Sequence, residues 1–317
     1  MTRCWIVTEG LTGTENQCLG VAEALGVIPE IKRINLKQPW RTLSPWLGFE
    51  HAGIFTGDPI TAPWPDLALC SGRKAIAAAR YIRKASGGKT LVVQIQDPRV
   101  SPDQFDMVAV PAHDPTRGRN VIVTTGAPNR INKKTLDDAH GDFESLLSPL
   151  PAPRVAVMIG GTSKAYGMND DVARTLAAQL KNLRDQGCGL MITASRRTGE
   201  SQQAIIRDTL KDDPNVFFWD GTGPNPYLGF LAWADAVLVT ADSVSMLSEA
   251  ATAGKPVYII PMAGGAPRID ALHQALIKHG AARMFEGKLD QWTYRPLNDA
   301  GIVALAIWNA LKNPKKG

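Results

Sequence analysis

Residues 235–261 read DAVLVTADSVSMLSEAATAGKPVYIIP, a run that leaves few folds open. Ala236–Thr240 is a short apolar stretch with two valines, suited to a buried strand. Ala241-Asp242-Ser243 breaks it and offers helix N-cap side chains. Ser245 to Ala253 then predicts a helix of small and apolar residues. Gly254 stands where a C-cap needs a left-handed backbone. Lys255-Pro256 leads into a second apolar strand, Val257–Ile260, closed by Pro261. The whole is a βαβ unit. Its helix aims free N–H groups at the C-terminal edge of a parallel sheet, a ready anion site. Ser243 and Ser245 add hydroxyl donors, and Asp242 lies in the same loop. Glu249, one turn inside the helix, can accept hydrogen bonds from a ribose diol, as an acid does in dinucleotide folds. A plain βαβ unit, with Ser243 as cap and Glu249 in a surface ion pair, uses the same residues. Spacing alone leaves both readings open.

A chain of 317 residues with 44% hydrophobic side chains predicts one large or two medium domains with a substantial core. The net charge of +5 comes from scattered residues. No nucleic-acid footprint follows; an anionic small molecule or an acidic membrane surface fits better. Cys4, Cys18, Cys70 and Cys188 are widely spaced, which suits small buried hydrophobes in a reducing compartment rather than a disulfide frame or zinc site. Cys4–Thr8 already reads as a strand, so no signal peptide is expected. No run approaches the roughly 20 apolar residues of a spanning helix. A cytoplasmic protein is expected, peripheral at the inner face of a membrane if it meets one.

Residues 1–150 predict a first Rossmann-like domain. Strand Cys4–Thr8 is followed by the loop Glu9-Gly10-Leu11-Thr12-Gly13-Thr14 and a helix ending at Gly26. The loop is neither G-x-G-x-x-G nor a P-loop. Further strand ends carry Ser71-Gly72, Asp97-Pro98-Arg99, Pro111-Ala112-His113-Asp114 and Thr125-Gly126. Strands alternating with helices give a doubly wound sheet. Arg73 and Lys74 open a helix where the dipole disfavours cations, so an anion is expected beside them. His113 and Asp114 have the chemistry of a base at neutral pH, and a structural histidine is the competing reading. Residues 37–66 hold Trp40, Trp46, Trp64, Phe55 and five prolines. They suit an interfacial element or a lid over a hydrophobic acceptor, or a loop folded back into satellite core. Residues 129–153 read as a helix and an inter-domain linker.

Residues 151–317 predict a second domain of the same kind, with the last helix free to pack back on the first. Gly160-Gly161-Thr162-Ser163 after strand Arg154–Ile159 presents N–H and hydroxyl groups as a nest, with Lys164 to neutralise an anion. Ser195 ends the next strand, and Arg196 and Arg197 offer bidentate phosphate contacts. With 241–245 these make three phosphate-friendly strand ends on one sheet edge, which argues for a nucleotide diphosphate. A cleft between two such domains is the natural active site. There is no D-x-D, so no metal-chelated diphosphate is indicated; helix N-terminus, hydroxyls and cations would stabilise the leaving group.

Seven motifs carry a family resemblance across nearly the whole chain. They are GTENQ at 13–17, DPR at 97–99, PAHD at 111–114, IGGTSK at 159–164, SRRT at 195–198, NPYLGFLAWAD at 225–235 and TADSVSMLSEAATAGKPV at 240–257. The chain resembles the plant mitochondrial-fission (elongated-mitochondria) family and its bacterial homologues. That family in turn resembles GT-B glycosyltransferases, in particular the enzyme that adds GlcNAc to a lipid-linked peptidoglycan precursor. The resemblance implies an α/β protein with two Rossmann-like doubly wound domains facing a cleft. It implies that Glu249 meets the donor ribose and Ser243–Ser245 the diphosphate, with Ser243 and Met246 standing where the transferases carry glycine and threonine.

The expectation is a metal-independent, cofactor-free transferase. It would move a sugar from a nucleotide diphosphate to an acceptor, lipid-linked or at a membrane surface. Residues 151–317 would take the donor and residues 1–150 the acceptor, with His113, Asp114 or Asp97 as base. A non-catalytic scaffold recruiting partners at a membrane and a sugar-nucleotide epimerase are the alternatives.

Overall fold

A computed structural model describes residues 2–313. Their contacts separate into two units. One holds the chain up to Arg130 together with the residues from Asn298 onward; the other holds Ile131–Leu297.

The first unit runs β1 (Cys4–Thr8), α1 (Thr12–Leu25), β2 (Pro29–Leu36), α2 (Trp40–Leu43), β3 (Phe55–Gly57), β4 (Leu67–Ser71), α3 (Ala75–Ala85), β5 (Leu91–Ile95), β6 (Met107–Pro111) and β7 (Val121–Thr124). The sheet order is β3-β2-β1-β4-β5-β6-β7. All neighbours are parallel except β3, which runs antiparallel to β2 at the edge. The order reverses between β1 and β4, the topological switch point of a doubly wound sheet. Every residue of β1 and β4 is buried. Trp5, Val7, Ala68 and Cys70 pack with Ile76, Ala79 and Ile82 on one face. Cys4, Ile6, Leu67 and Leu69 pack with Cys18 and Val21 on the other. Such two-sided burial is why these strands read as unbroken apolar runs rather than alternating ones. All four cysteines are buried and unbridged, and burial pushes the Cys4 thiol up to about 12; a thiol so shifted stays protonated and inert at neutral pH.

The second unit runs α4 (Lys133–Asp142), α5 (Glu144–Leu147), β8 (Arg154–Ile159), β9 (Tyr166–Gly167), α6 (Asp170–Asp185), β10 (Gly189–Ala194), α7 (Glu200–Thr209), β11 (Val216–Phe218), α8 (Tyr227–Trp233), β12 (Ala236–Thr240), α9 (Val244–Ala253), β13 (Val257–Ile260), β14 (Ala263–Gly264), α10 (Pro267–His279) and β15 (Ala282–Met284). Its main sheet has the order β11-β10-β8-β12-β13-β15, and β14 and β9 form a separate ribbon. The six strands are all parallel and reverse between β8 and β12. Within each unit the strand order is therefore that of a Rossmann sheet.

The division falls at residues 130–131, at the start of the stretch 129–153 expected as a helix and linker and ahead of the domain boundary expected at 150–151. That polar stretch conceals an apolar stripe. Ile131, Leu147 and Leu150 enter the core around β8 and β12. The His140 ring stacks on Trp233 at 4.0 Å, and Trp233 Nε1 donates to the His140 carbonyl at 2.9 Å. After the second unit the chain returns to the first as α11 (Asp299–Lys312). Val303 and Ile307 join Cys18 and Val21 in the first core. The buried Asp299 carboxylate accepts hydrogen bonds from Thr125 N at 3.0 Å and Gly126 N at 2.8 Å.

Replacing Asp299 by alanine leaves those two amides unmatched in a dry site. The expected loss is about 2–4 kcal/mol of unfolding free energy. Hydrogen exchange localises it: amides of α11 and of 125–126 lose protection, while those of β8 and β12 keep theirs.

Candidate functional site

The C-terminal edge of the second sheet, where β8 and β12 part, is held together by one carboxylate. The Asp242 side chain has no exposed surface. It accepts from Thr240 Oγ1 at 2.7 Å, Gly161 N at 3.1 Å and Arg197 Nη2 at 3.0 Å. Thr240 Oγ1 in turn accepts from Gly160 N at 2.7 Å. These contacts require the bare glycines. A Cβ on Gly160 would lie 2.2 Å from Asp242 Oδ1, and one on Gly161 would lie 2.1 Å from the Arg197 backbone. Ser195 Oγ donates to the Gly160 carbonyl at 2.8 Å and accepts from Arg197 N at 3.2 Å. Thr198 Oγ1 donates to the same carbonyl. From α10, the buried His273 meets the Ala241 carbonyl at 2.9 Å through Nε2. Burial holds this imidazole below its ordinary pKa, so it is neutral and donates from that nitrogen.

The expected nest at 160–164 is closed from within. Thr162 N donates to the Arg197 carbonyl at 2.9 Å and Ser163 N to that of Tyr166 at 2.8 Å. With Gly160 N and Gly161 N already engaged, the four amides face internal acceptors. Asp242, expected on the ligand, is an internal acceptor and offers a phosphate no donor. Ser163 Oγ accepts from Ala165 N and Tyr166 N. Lys164 and Arg196 are exposed.

Beside this cross-braced edge opens a cleft of about 600 Å³. Ser195 and Arg196 from the β10 loop line it, with Trp219 beyond β11, Tyr227 on α8 and Met246 on α9. Trp219 is fixed by Nε1 donating to the Thr222 carbonyl at 2.8 Å. The first turn of α9 has no side-chain cap, although Ser243 stands at its N-cap and Ser245 is exposed on it. Its leading N–H groups are therefore the uncommitted donors of this edge. One turn deeper, Glu249 accepts a hydrogen bond from the Tyr227 hydroxyl. Burial raises the Glu249 carboxyl above its ordinary range, and the Tyr227 hydrogen bond lowers it in part. The Tyr227 phenol is pushed well up by burial, then by the Glu249 charge. The Tyr227 phenol is thus the donor and the Glu249 carboxyl the acceptor, with the tyrosine on the cleft side.

In the first unit the base candidates differ sharply in access. The His113 and Asp114 side chains are 2% and 0% exposed, with Nε2 3.8 Å from Oδ1. Arg117 winds the loop around them, donating to the carbonyls of Ala112 at 2.9 Å and Thr116 at 2.8 Å. A base must reach the proton it takes, and these two do not present themselves to solvent. Asp97 is half-buried; its Oδ1 accepts from Thr116 Oγ1 at 2.7 Å and Arg99 N at 2.9 Å. It is flanked by two left-handed residues, Gln96 at φ 78° and Arg99 at φ 57°. Strain of this kind concentrates at functional loops. The anion expected beside Arg73 and Lys74 is Glu9, which accepts from Lys74 N at 2.8 Å and pairs with its Nζ at 3.1 Å. Among the described residues no group of three or more His, Cys, Asp or Glu is arranged to hold a metal ion.

Sequence reasoning missed Tyr227, Trp219 and His273, and named Met246 only as a departure from the transferase pattern. Tyr227 is the third residue of the specific run NPYLGFLAWAD, the signal that pointed at it. Nothing in the spacing joins it to Glu249, which is brought close by packing of α8 on α9.

A sequence profile described as Mitochondrial fission ELM1 matches residues 12–311. Mitochondrial fission protein ELM1 of Arabidopsis thaliana is 30% identical over 96% of this chain and 90% of its own length. Among solved structures, UDP-GlcNAc 2-epimerase of Methanocaldococcus jannaschii, crystallised with UDP-GlcNAc and UDP, is similar with a TM-score of 0.51 and 11% identity, covering 98% of this chain and 99% of that one. MurG of Acinetobacter baumannii gives a TM-score of 0.51 and 14% identity, covering 99% and 91%. These likenesses show a GT-B-like fold.

The cross-brace predicts that Asp242→Ala is a stability variant first. Two internal donors lose their acceptor and the half-exposed Arg197 loses its partner, for about 2–3 kcal/mol. Chemical denaturation without ligand measures this. An unchanged midpoint would mean that the carboxylate does not brace the edge.

Proposed function

Because the chain belongs to the mitochondrial-fission ELM1 family and carries a GT-B-like fold, we propose that it is a metal-independent glycosyltransferase with a nucleotide-diphosphate sugar as donor. The observation that carries the reading is the cleft beside the β8–β12 switch point, where an uncapped helix N-terminus stands one turn above a half-buried carboxyl group. A nucleoside diphosphate has matching parts in the matching order. The base enters between Trp219, Tyr227 and Met246, the ribose diol meets the Tyr227–Glu249 pair, and the diphosphate takes the free amides of α9 with the Ser243 and Ser245 hydroxyls. Arg196 and Lys164, both exposed, supply positive charge for the departing diphosphate. Arg197 stays on Asp242. The M. jannaschii and A. baumannii proteins support a nucleotide-sugar site through their shared fold. Asp97 is the base we assign, since it is the accessible one of the three candidates and its loop is strained. Acceptor handling is assigned to the unit that contains it. The epimerase reading uses the same donor site and is separated by its product: a stereoisomer of the sugar nucleotide rather than free nucleotide.

Thermal unfolding against a panel of nucleoside diphosphates and sugar nucleotides, with and without EDTA, tests the reading. A ligand at about 100 times its Kd adds roughly 2.7 kcal/mol. A selective rise unaffected by EDTA is expected, and a folded protein that responds to none of them defeats the proposal. Glu249→Ala is expected to weaken the responding nucleotide about 10–100-fold without unfolding the chain.

Binding is also expected to depend on pH with a definite sign. A diol needs the Glu249 carboxylate as acceptor, and burial raises its pKa. Affinity therefore falls as pH drops through that raised value, sooner than an ordinary glutamate would allow. The Tyr227 hydrogen bond lowers the pKa, so Tyr227→Phe moves the acid limb to higher pH and Glu249→Gln removes it. Isothermal titration across the acid range measures all three.

A further inference from the structure

The segment after β2 is gripped from below. Arg73 donates to the carbonyls of Ser44 at 2.9 Å, Arg41 at 3.1 Å and Thr42 at 3.3 Å. Arg80 donates to those of Pro45 and Leu47, each at 2.8 Å, and pairs with Glu50. Ser44 Oγ returns a bond to the Arg73 carbonyl at 3.0 Å, and Trp40 Nε1 closes the turn on Gly48 O at 3.0 Å. A turn so anchored has its polar backbone satisfied, yet it displays apolar side chains. Leu43 is 47% exposed, Trp46 68% and Phe49 91%. Phe49 stands at φ 63°, where a bulky residue is strained. A fold that holds three large apolar groups outward on a rigid, strained turn holds them for contact.

The surroundings select the partner. Lys37 and Arg41 are exposed on the same segment. Trp46 borders a recess of about 660 Å³ with Arg80, Arg83 and Lys84. Glu50 and Asp106 match the two arginines, while Lys84 is exposed with no ion-pair partner among the described residues. Apolar tips set among unmatched cations suit an interface that is oily beneath a layer of negative charge. We propose that residues 37–49, with Lys84, form a docking face for an anionic lipid bilayer. Leu43, Trp46 and Phe49 enter the headgroup boundary, and Lys37, Arg41 and Lys84 supply the attraction. Neither signal suffices alone, since stable anchoring needs both insertion and charge. This face is independent of the nucleotide cleft and holds for a transferase or a scaffold alike.

Flotation of the full chain with phosphatidylcholine vesicles, and with the same vesicles doped with phosphatidylglycerol, tests it. The chain is expected to float with the doped vesicles and to lose this at high salt. The double variant Trp46→Ala, Phe49→Ser is expected to cut the partition coefficient roughly tenfold or more, with an unchanged melting temperature because both side chains are exposed. Lys84→Glu is expected to weaken binding to doped vesicles only. No flotation with either vesicle, or flotation indifferent to the double variant, overturns the proposal. So does a double variant that converts a dimer to a monomer while neither protein binds vesicles, since the face would then be a contact between copies.

Discussion

A carboxylate without exposed surface is an unusual centre for a site expected to take an anion, and the geometry of the second unit depends on it. Asp242 gathers the loop after β8, the hydroxyl at the end of β12 and an arginine from the loop after β10. Two glycines without Cβ atoms allow the approach. Four consecutive amides, which composition suggested would grip phosphate, are turned inward as a consequence. What remains for a ligand is the first turn of α9, whose N–H groups have no side-chain cap. The brace thus does two things at once. It fixes the sheet edge, and with the amides of Gly160 to Ser163 committed internally the first turn of α9 is left with backbone N–H groups that no side chain caps.

The same logic applies one turn further in. A half-buried glutamate such as Glu249 gains from a partner, because desolvating a lone carboxylate is costly. Tyr227 provides it from α8. A phenol suits this position better than a cation would. It holds the carboxylate with a single hydrogen bond and leaves its charge uncancelled, so further donors such as a diol are still favoured. The aromatic body meanwhile forms part of the cleft wall.

Much of this was legible in the chain. The βαβ run at 235–261, the strand ends and the helix positions followed from apolar periodicity and glycine placement, because buried parallel strands must be continuously apolar. The roles we propose for the α9 end and for Glu249 were read from the same run. What escaped the sequence was the direction of polar groups. Whether Gly160 to Ser163 point their amides outward or inward depends on a residue some eighty positions away. Whether His113 reaches solvent depends on how Arg117 wraps its loop. The packing of 131–150 escaped for a related reason: the stretch is polar overall, and its few apolar residues gain meaning only against the core they enter.

The two units show how little topology decides by itself. Both sheets have the Rossmann order, and both reverse at a switch point where a helix begins. In the first unit that helix is α3, and Glu9 reaches across from the end of β1 to take the Lys74 amide and pair with its ammonium. Its neighbour Glu15 is likewise matched by Arg33 at 2.9 and 2.8 Å. The anion that such a helix end attracts is already part of the protein. In the second unit the comparable carboxylate, Asp242, points away from α9 into the glycine loop, and the helix end is left open. An acidic side chain aimed at the helix closes one site, and one aimed at a neighbouring loop leaves the other available. Fold alone therefore favours neither half for the nucleotide binding we propose, and it is the side chains that leave a helix end open in the second.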